Sequence, residues 1–165
     1  MRRAVLFYVV VAGCQGGQPD RMELADQRVS IRELDGWSAH RDHGATVLQR
    51  NDDDRVTIAI QASPLRASDH DESAADAVFR SAETIVRGLP EARITGIEPL
   101  AQGEFEGRAF EVTFEPAGKR EAYQRRHVVL VGQRVIHVMH TGPASSLGAT
   151  AELFDEVVAS VREEI

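Results

Sequence analysis

Residues 122–141 read AYQRRHVVLVGQRVIHVMHT. Two runs rich in β-branched residues, 122–131 and 134–141, flank the dipeptide Gly132-Gln133. A two-residue connection opening on glycine is a tight hairpin turn whose twist suits the strands it joins. If Val131 pairs with Arg134, Val129, Val131, Ile136 and Val138 share one face, and Val128, Leu130, Val135 and Met139 share the other. A hairpin that is apolar on both faces belongs at the centre of a sheet covered on both sides. The stretch therefore predicts an α+β domain with helices over an antiparallel sheet.

Outward from the hairpin, the C-terminal end predicts a helix starting near Ser145 or Ser146. It carries Phe154, Val157, Val158, Val161 and Ile165 on one face. Upstream, residues 93–101 (RITGIEPLA) and 107–115 (GRAFEVTFE) read as strands. Ser73 opens an earlier helix, with Asp76 three residues on as a near-capping box. Its apolar stripe is Ala74, Ala75, Val78, Phe79, Ala82, Ile85, Val86 and Leu89, and Gly88 and Pro90 stop it. Earlier still, 28–34 (RVSIREL) alternates like a half-buried strand, and Asp35-Gly36 turns the chain toward Trp37. Residues 45–49 and 56–62 form a hairpin around the polar cluster Asn51 to Asp54, ending at Pro64. The order is three strands, a helix, four strands and a helix. That makes an antiparallel sheet of about six or seven strands flanked by two main helices.

The N-terminus reads differently. MRRAVLFYVVVAGC, residues 1–14, has a basic start, an apolar run and small residues before a cysteine. This is the layout of a secretory signal, and the run is too short to span a bilayer. The alternative is a buried first strand, LFYVVVAG, with Cys14 as an inert thiol. That reading leaves Arg2, Arg3 and the following GCQGGQPD unexplained. The division expected is a signal peptide over 1–13, a flexible tether over 14–21 that opens on Cys14, and one globular domain over 22–165.

Charge limits the partners. The 165-residue chain has a formal net charge of −7, and loss of Arg2 and Arg3 with residues 1–13 takes it to −9. Such a domain repels phosphate backbones, so nucleic acid is not an expected partner. It also has no charge-based reason to dock on anionic lipid. A single cysteine rules out a disulfide framework or a thiolate metal cluster.

Few residues suggest chemistry. His127 and His140 become diagonal neighbours on one face in the register above, a candidate paired binding site that hydrogen-bonded core or edge histidines explain better. His137 points to the other face. His40 and His43, spaced H-x-x-H in a loop, lack a third metal ligand. Asp52 to Asp54 lack the calcium-loop spacing, and the acidic run Asp69 to Glu72 suits a helix N-terminus. Lys119 to Arg126 (KREAYQRR) is locally basic, but a strand divides its charges between two faces, and an exposed face accounts for it. No G-x-S-x-G, P-loop or G-x-G-x-x-G occurs. No catalytic residue, metal or cofactor is expected.

Two resemblances add to this. Val11-Ala12-Gly13-Cys14 resembles a bacterial lipobox. It implies a diacylglyceryl thioether on Cys14, cleavage before it and acylation of the new N-terminus, and several acyl chains anchor stably. Gln15, where an enterobacterial inner-membrane signal has aspartate, is compatible with the outer membrane facing the periplasm. The domain resembles the PsbP-like fold of photosystem PsbP proteins, Ran-binding Mog proteins and DcrB-type lipoproteins. That likeness rests on Leu34-Asp35-Gly36-Trp37, Gly107-Arg108-Ala109-Phe110, the 123–138 hairpin residues and Phe154-x-x-Val157-Val158-x-Ser160-Val161. It covers about residues 28–162 and implies an α/β/α sandwich, usually non-catalytic, that binds proteins or lipids. The expectation is a lipid-anchored envelope protein whose domain binds a protein partner or stabilises a complex. The alternatives are a carrier or sensor of an apolar envelope ligand, and a hydrolase of unrecognised type.

Overall fold

A computed structural model describes residues 20–24, 27–65, 72–102, 105–115 and 122–164. The elements run β1 (Arg21–Leu24), β2 (Val29–Arg32), β3 (Trp37–Asp42), β4 (Ala45–Arg50) and β5 (Asp53–Pro64), then α1 (Glu72–Arg87). β6 (Arg93–Gln102), β7 (Phe105–Phe114), β8 (Ala122–Val131) and β9 (Arg134–Gly142) follow, then α2 (Ala144–Ser160) and β10 (Arg162–Glu163).

The main sheet is antiparallel with strand order β3-β4-β5-β9-β8-β7-β6. The β8–β9 hairpin sits in its middle. Val131 pairs with Arg134 and Val129 with Ile136, the register that the sequence pattern requires. Each face of the hairpin joins a separate core. Val129, Val131, Ile136 and Val138 pack with Phe154, Val157 and Val158 of α2. Val128 and Val135 pack with Phe79, Ala82 and Val86 of α1. The two helices therefore cover opposite faces, giving an α/β/α sandwich.

Burial beneath the helices drives this arrangement. Fully burying a side chain such as Val158 or Phe154 contributes about 1.5–3 kcal/mol. Gly88 and Pro90 end α1 as expected, with the Gly88 N–H returning to the Thr84 and Ile85 carbonyls.

Five local readings need correction. The strand at 28–34 is not in the main sheet: β2 pairs with β1 and β10 in a separate three-stranded sheet. Alternation marks a half-buried strand without saying which sheet holds it. The main sheet still reaches seven strands because β3 forms from Trp37–Asp42. His40 therefore lies on an edge strand rather than in a loop, and His43 occupies a tight turn with Gly44, both at positive φ. Arg21, assigned to the tether, is the first residue of β1. Val161 is fully buried but lies just past α2, because Arg162 and Glu163 pair with Ser30 and Val29. Ile85, counted in the apolar stripe of α1, is 54% exposed rather than turned to the core.

The small sheet locks onto the hairpin tip. Gly132 takes φ +55°, and the Glu163 carboxylate sits where a Cβ would project. That carboxylate accepts the Gln133 N–H at 3.0 Å. On the other strands of the small sheet, Arg21 Nη2 donates to Ser30 Oγ at 2.6 Å and to the Ser160 carbonyl at 2.9 Å.

Candidate functional site

The central register sets Arg125 directly opposite His140 and His127 opposite Val138. The two histidines are thus diagonal neighbours on the α2 side of the sheet. α2 lowers Phe154 between them. The Phe154 ring meets His127 edge-on at 4.7 Å between centroids and stacks on His140 at 5.4 Å. The Arg125 guanidinium lies 5.8 Å from the same ring and reaches Asp155 of α2 at 3.3 Å.

Burial decides what these histidines can do. His127 is 1% exposed and His140 0%. Burial first, and the Arg125 charge second, lowers each pKa to about 4. Both rings are neutral at pH 7. One turn before Phe154, Thr150 Oγ1 lies 2.9 Å from His140 Nε2 and donates to the Ser146 carbonyl at 3.1 Å. A hydroxyl has one proton, so His140 must carry its own on Nε2 and donate it to Thr150. The bare Nδ1 of His140 and both ring nitrogens of His127 are buried without partners.

A neutral, sealed imidazole pair cannot take a proton from solvent at neutral pH or receive a substrate without α2 moving. Among the described residues no three His, Cys, Asp or Glu side chains gather to hold a metal. His40 and His43 stand apart, with His43 Nδ1 2.6 Å from the neighbouring Asp42 carboxylate. Within the Asp52 to Asp54 cluster, Arg50 pairs with Asp52 at 2.5 Å and Arg55 with Asp53 at 2.8 Å. Cys14, the signal and most of the tether, Asp69 to Asp71 and Lys119 to Glu121 lie outside the described residues.

Two features went unread in the sequence. The basic stretch divides as expected, but Arg126 is 7% exposed rather than solvated. A strand pattern separates faces without saying what covers each. The second is a cleft of about 300 Å3 beside α1, lined by Asp76, Phe79, Arg80, Glu83, Ile97 and Arg108 among others. The Arg108 guanidinium lies 4.8 Å over the Phe79 ring and 3.8 Å from Asp76. Arg108 and Phe79 are far apart in sequence, so no local motif announces the cleft.

No protein-family model matches the chain, and no curated protein sequence matches it. Solved structures do. Cyanobacterial PsbP (CyanoP) from Synechocystis sp. PCC 6803 superposes with a TM-score of 0.65 at 13% identity, over 93% of this chain and 98% of that one. The fold is PsbP-like. LpqN of Mycobacterium tuberculosis, described as involved in cell envelope biogenesis, has a TM-score of 0.63 at 14% identity over 90% of this chain and 91% of its own. The Saccharomyces cerevisiae Ran-binding protein Mog1p has 0.55 at 10%, over 88% and 95%. At such identities the PsbP-like likeness is one of architecture, and function must come from sites. No helix among the described residues of this PsbP-like chain is long and apolar enough to cross a membrane.

Proposed function

We propose that this chain is a bacterial lipoprotein, anchored through Cys14 in the cell envelope, whose PsbP-like domain is a non-catalytic binding module for a protein partner. The observation that carries the reading is Val11-Ala12-Gly13-Cys14 at the end of a basic-then-apolar leader. Neighbours of the same fold support it from two sides: LpqN is described as an envelope biogenesis protein and Mog1p as Ran-binding. The sealed histidine pair supports it too, since the most suggestive polar residues of the chain serve packing. The location favoured is the outer membrane facing the periplasm, after the Gln15 that follows the cysteine.

A Cys14→Ala variant tests the anchor. The wild-type chain should fractionate with membranes and carry acyl mass, and the variant should do neither. Membrane fractionation by the variant, with unchanged mass, would overturn the reading. Pull-down from envelope extracts tests the module, and recovery of no specific partner counts against it.

The cleft beside α1 favours a second reading, a carrier or sensor of an envelope ligand. Its volume suits a small molecule. Phe79, Phe110 and Ile97 offer an apolar wall, but Asp76, Arg80, Glu83 and Arg108 share the lining. A ligand held there needs a polar end as well as an apolar body.

A further inference from the structure

β8 carries a second arginine on its α1 side. Arg126 stands opposite Phe110 of β7 and Met139 of β9. It is 7% exposed, and its Nε is sealed from solvent without a hydrogen-bond partner. Among the described residues no carboxylate forms an ion pair with it. Burial alone pushes its pKa down. A buried cation without a counter-charge is strongly unfavourable unless something anionic compensates it. Snorkelling relieves this only in part: Nη1 and Nη2 are not sealed and meet solvent through a narrow opening, while Nε stays enclosed.

The surroundings are donors rather than acids. Gln124, two residues back on the same face, is also 7% exposed. Its amide meets Thr141 Oγ1 at 3.1 Å, while Oε1 has no partner. Flipping the amide keeps that bond, with the Thr141 hydroxyl now donating, and turns an NH2 to the unpartnered side. His137 is diagonal to Arg126 across β9 on the same face. It is neutral at pH 7, lowered to about 4 by burial and then by the Arg126 charge, and so retains one N–H to donate. The approach is not filled by the α1 core. Thr57, Ala59, Met139 and Thr141 of this face are only half-buried.

The geometry points to an oxyanion site at Arg126, with Gln124 and His137 as supporting donors, that takes the carboxylate or phosphate group of a ligand. It is independent of the anchor at Cys14 and distinct from the cleft beside α1.

The full chain, labelled for NMR, is titrated with inorganic phosphate and separately with sodium acetate at fixed ionic strength. The Arg126 Nε–H and the His137 ring are followed. A saturable shift of both is expected in one anion, with the His137 titration midpoint moving upward as the bound charge offsets Arg126. A response to phosphate assigns phosphate-bearing ligands, and one to acetate assigns carboxylates. Arg126→Met should abolish the response and, without anion, leave Tm unchanged or raised, because an apolar isostere removes an unpaired charge. No saturable shift in either anion overturns the site. So does a Tm fall of roughly 5 °C or more in Arg126→Met, which would show that the guanidinium is already paired within the chain.

Discussion

Thr150 Oγ1 lies 2.9 Å from His140 Nε2 and also 3.1 Å from the Ser146 carbonyl, so one hydroxyl ties α2 to the central strand β9. Both groups are buried, Thr150 at 4% exposure and His140 at 0%. Thr150→Val keeps the shape and removes the acceptor. The His140 N–H is then left unsatisfied, at a cost of about 1–3 kcal/mol. Urea unfolding should show a lower midpoint with an unchanged m-value. A midpoint equal to wild type would mean that the hydroxyl contributes nothing net.

Acid should loosen the α2 side of the sheet. The ordinary histidine pKa of 6.5 falls to about 4 in the fold for both His127 and His140. The unfolded chain therefore binds protons that the folded chain refuses. Stability from these groups is fully present above pH 6.5 and drains as pH falls toward 4, by up to about 3 kcal/mol per histidine. The charges facing them are Arg125, which opposes protonation, and Asp155 and Glu111, which pair with Arg125. Carboxylates such as Asp52 and Asp53, held below their usual range by arginines, lose their pairing only in stronger acid. His127→Phe should therefore flatten the decline in stability between pH 6.5 and 4 in denaturation series. Superimposable profiles for variant and wild type would rule out His127 as a contributor.

The hairpin tip offers a backbone test. Gly132 combines φ +55° with a Glu163 carboxylate in the place of its missing Cβ. Gly132→Ala must strain the turn and displace Glu163, which also lies 3.8 Å from Arg134 Nε. The left-handed conformation alone costs roughly 1–2 kcal/mol, and loss of the Gln133 bond adds to it. Glu163→Gln, which keeps an acceptor, should cost much less. Thermal unfolding of the two variants checks the ranking, and equal Tm values would refute the contact.

What the sequence could reveal follows from how each element is stabilised. The β8–β9 hairpin was readable because Val128, Val129, Val135 and Ile136 make both faces apolar, a pattern with one structural solution. β3 was not: Ser38 to Asp42 are all exposed on a sheet edge, so no alternation marks them. β1 and β10 exist through tertiary pairing with β2, and β10 is too short to carry a pattern. Helical spacing showed that Phe154 faces inward, but not that it lands between His127 and His140. The same holds for Arg126: alternation separates it from Arg125, yet only the layers above the sheet determine that one is half-buried and the other enclosed.

Phe154 and Glu156 are two residues apart on α2 and should behave oppositely. Phe154 is 0% exposed and touches both histidines and Arg125. Phe154→Ala opens a void beneath the helix and should cost about 3–5 kcal/mol, enough to unfold a domain of ordinary stability. Phe154→Leu fills most of the void and should retain a cooperative transition at a lower midpoint. Glu156 pairs with Arg32 of β2, but their side chains are 53% and 45% exposed. An exposed pair contributes about 0–1 kcal/mol and is screened by salt. Glu156→Ala should therefore shift the urea midpoint only slightly, and less still in high salt. A loss at Glu156 comparable to that at Phe154 would mean that β2 is held to α2 by charge, contrary to the apolar contacts of Val29 and Ile31 that join the small sheet to the α2 core.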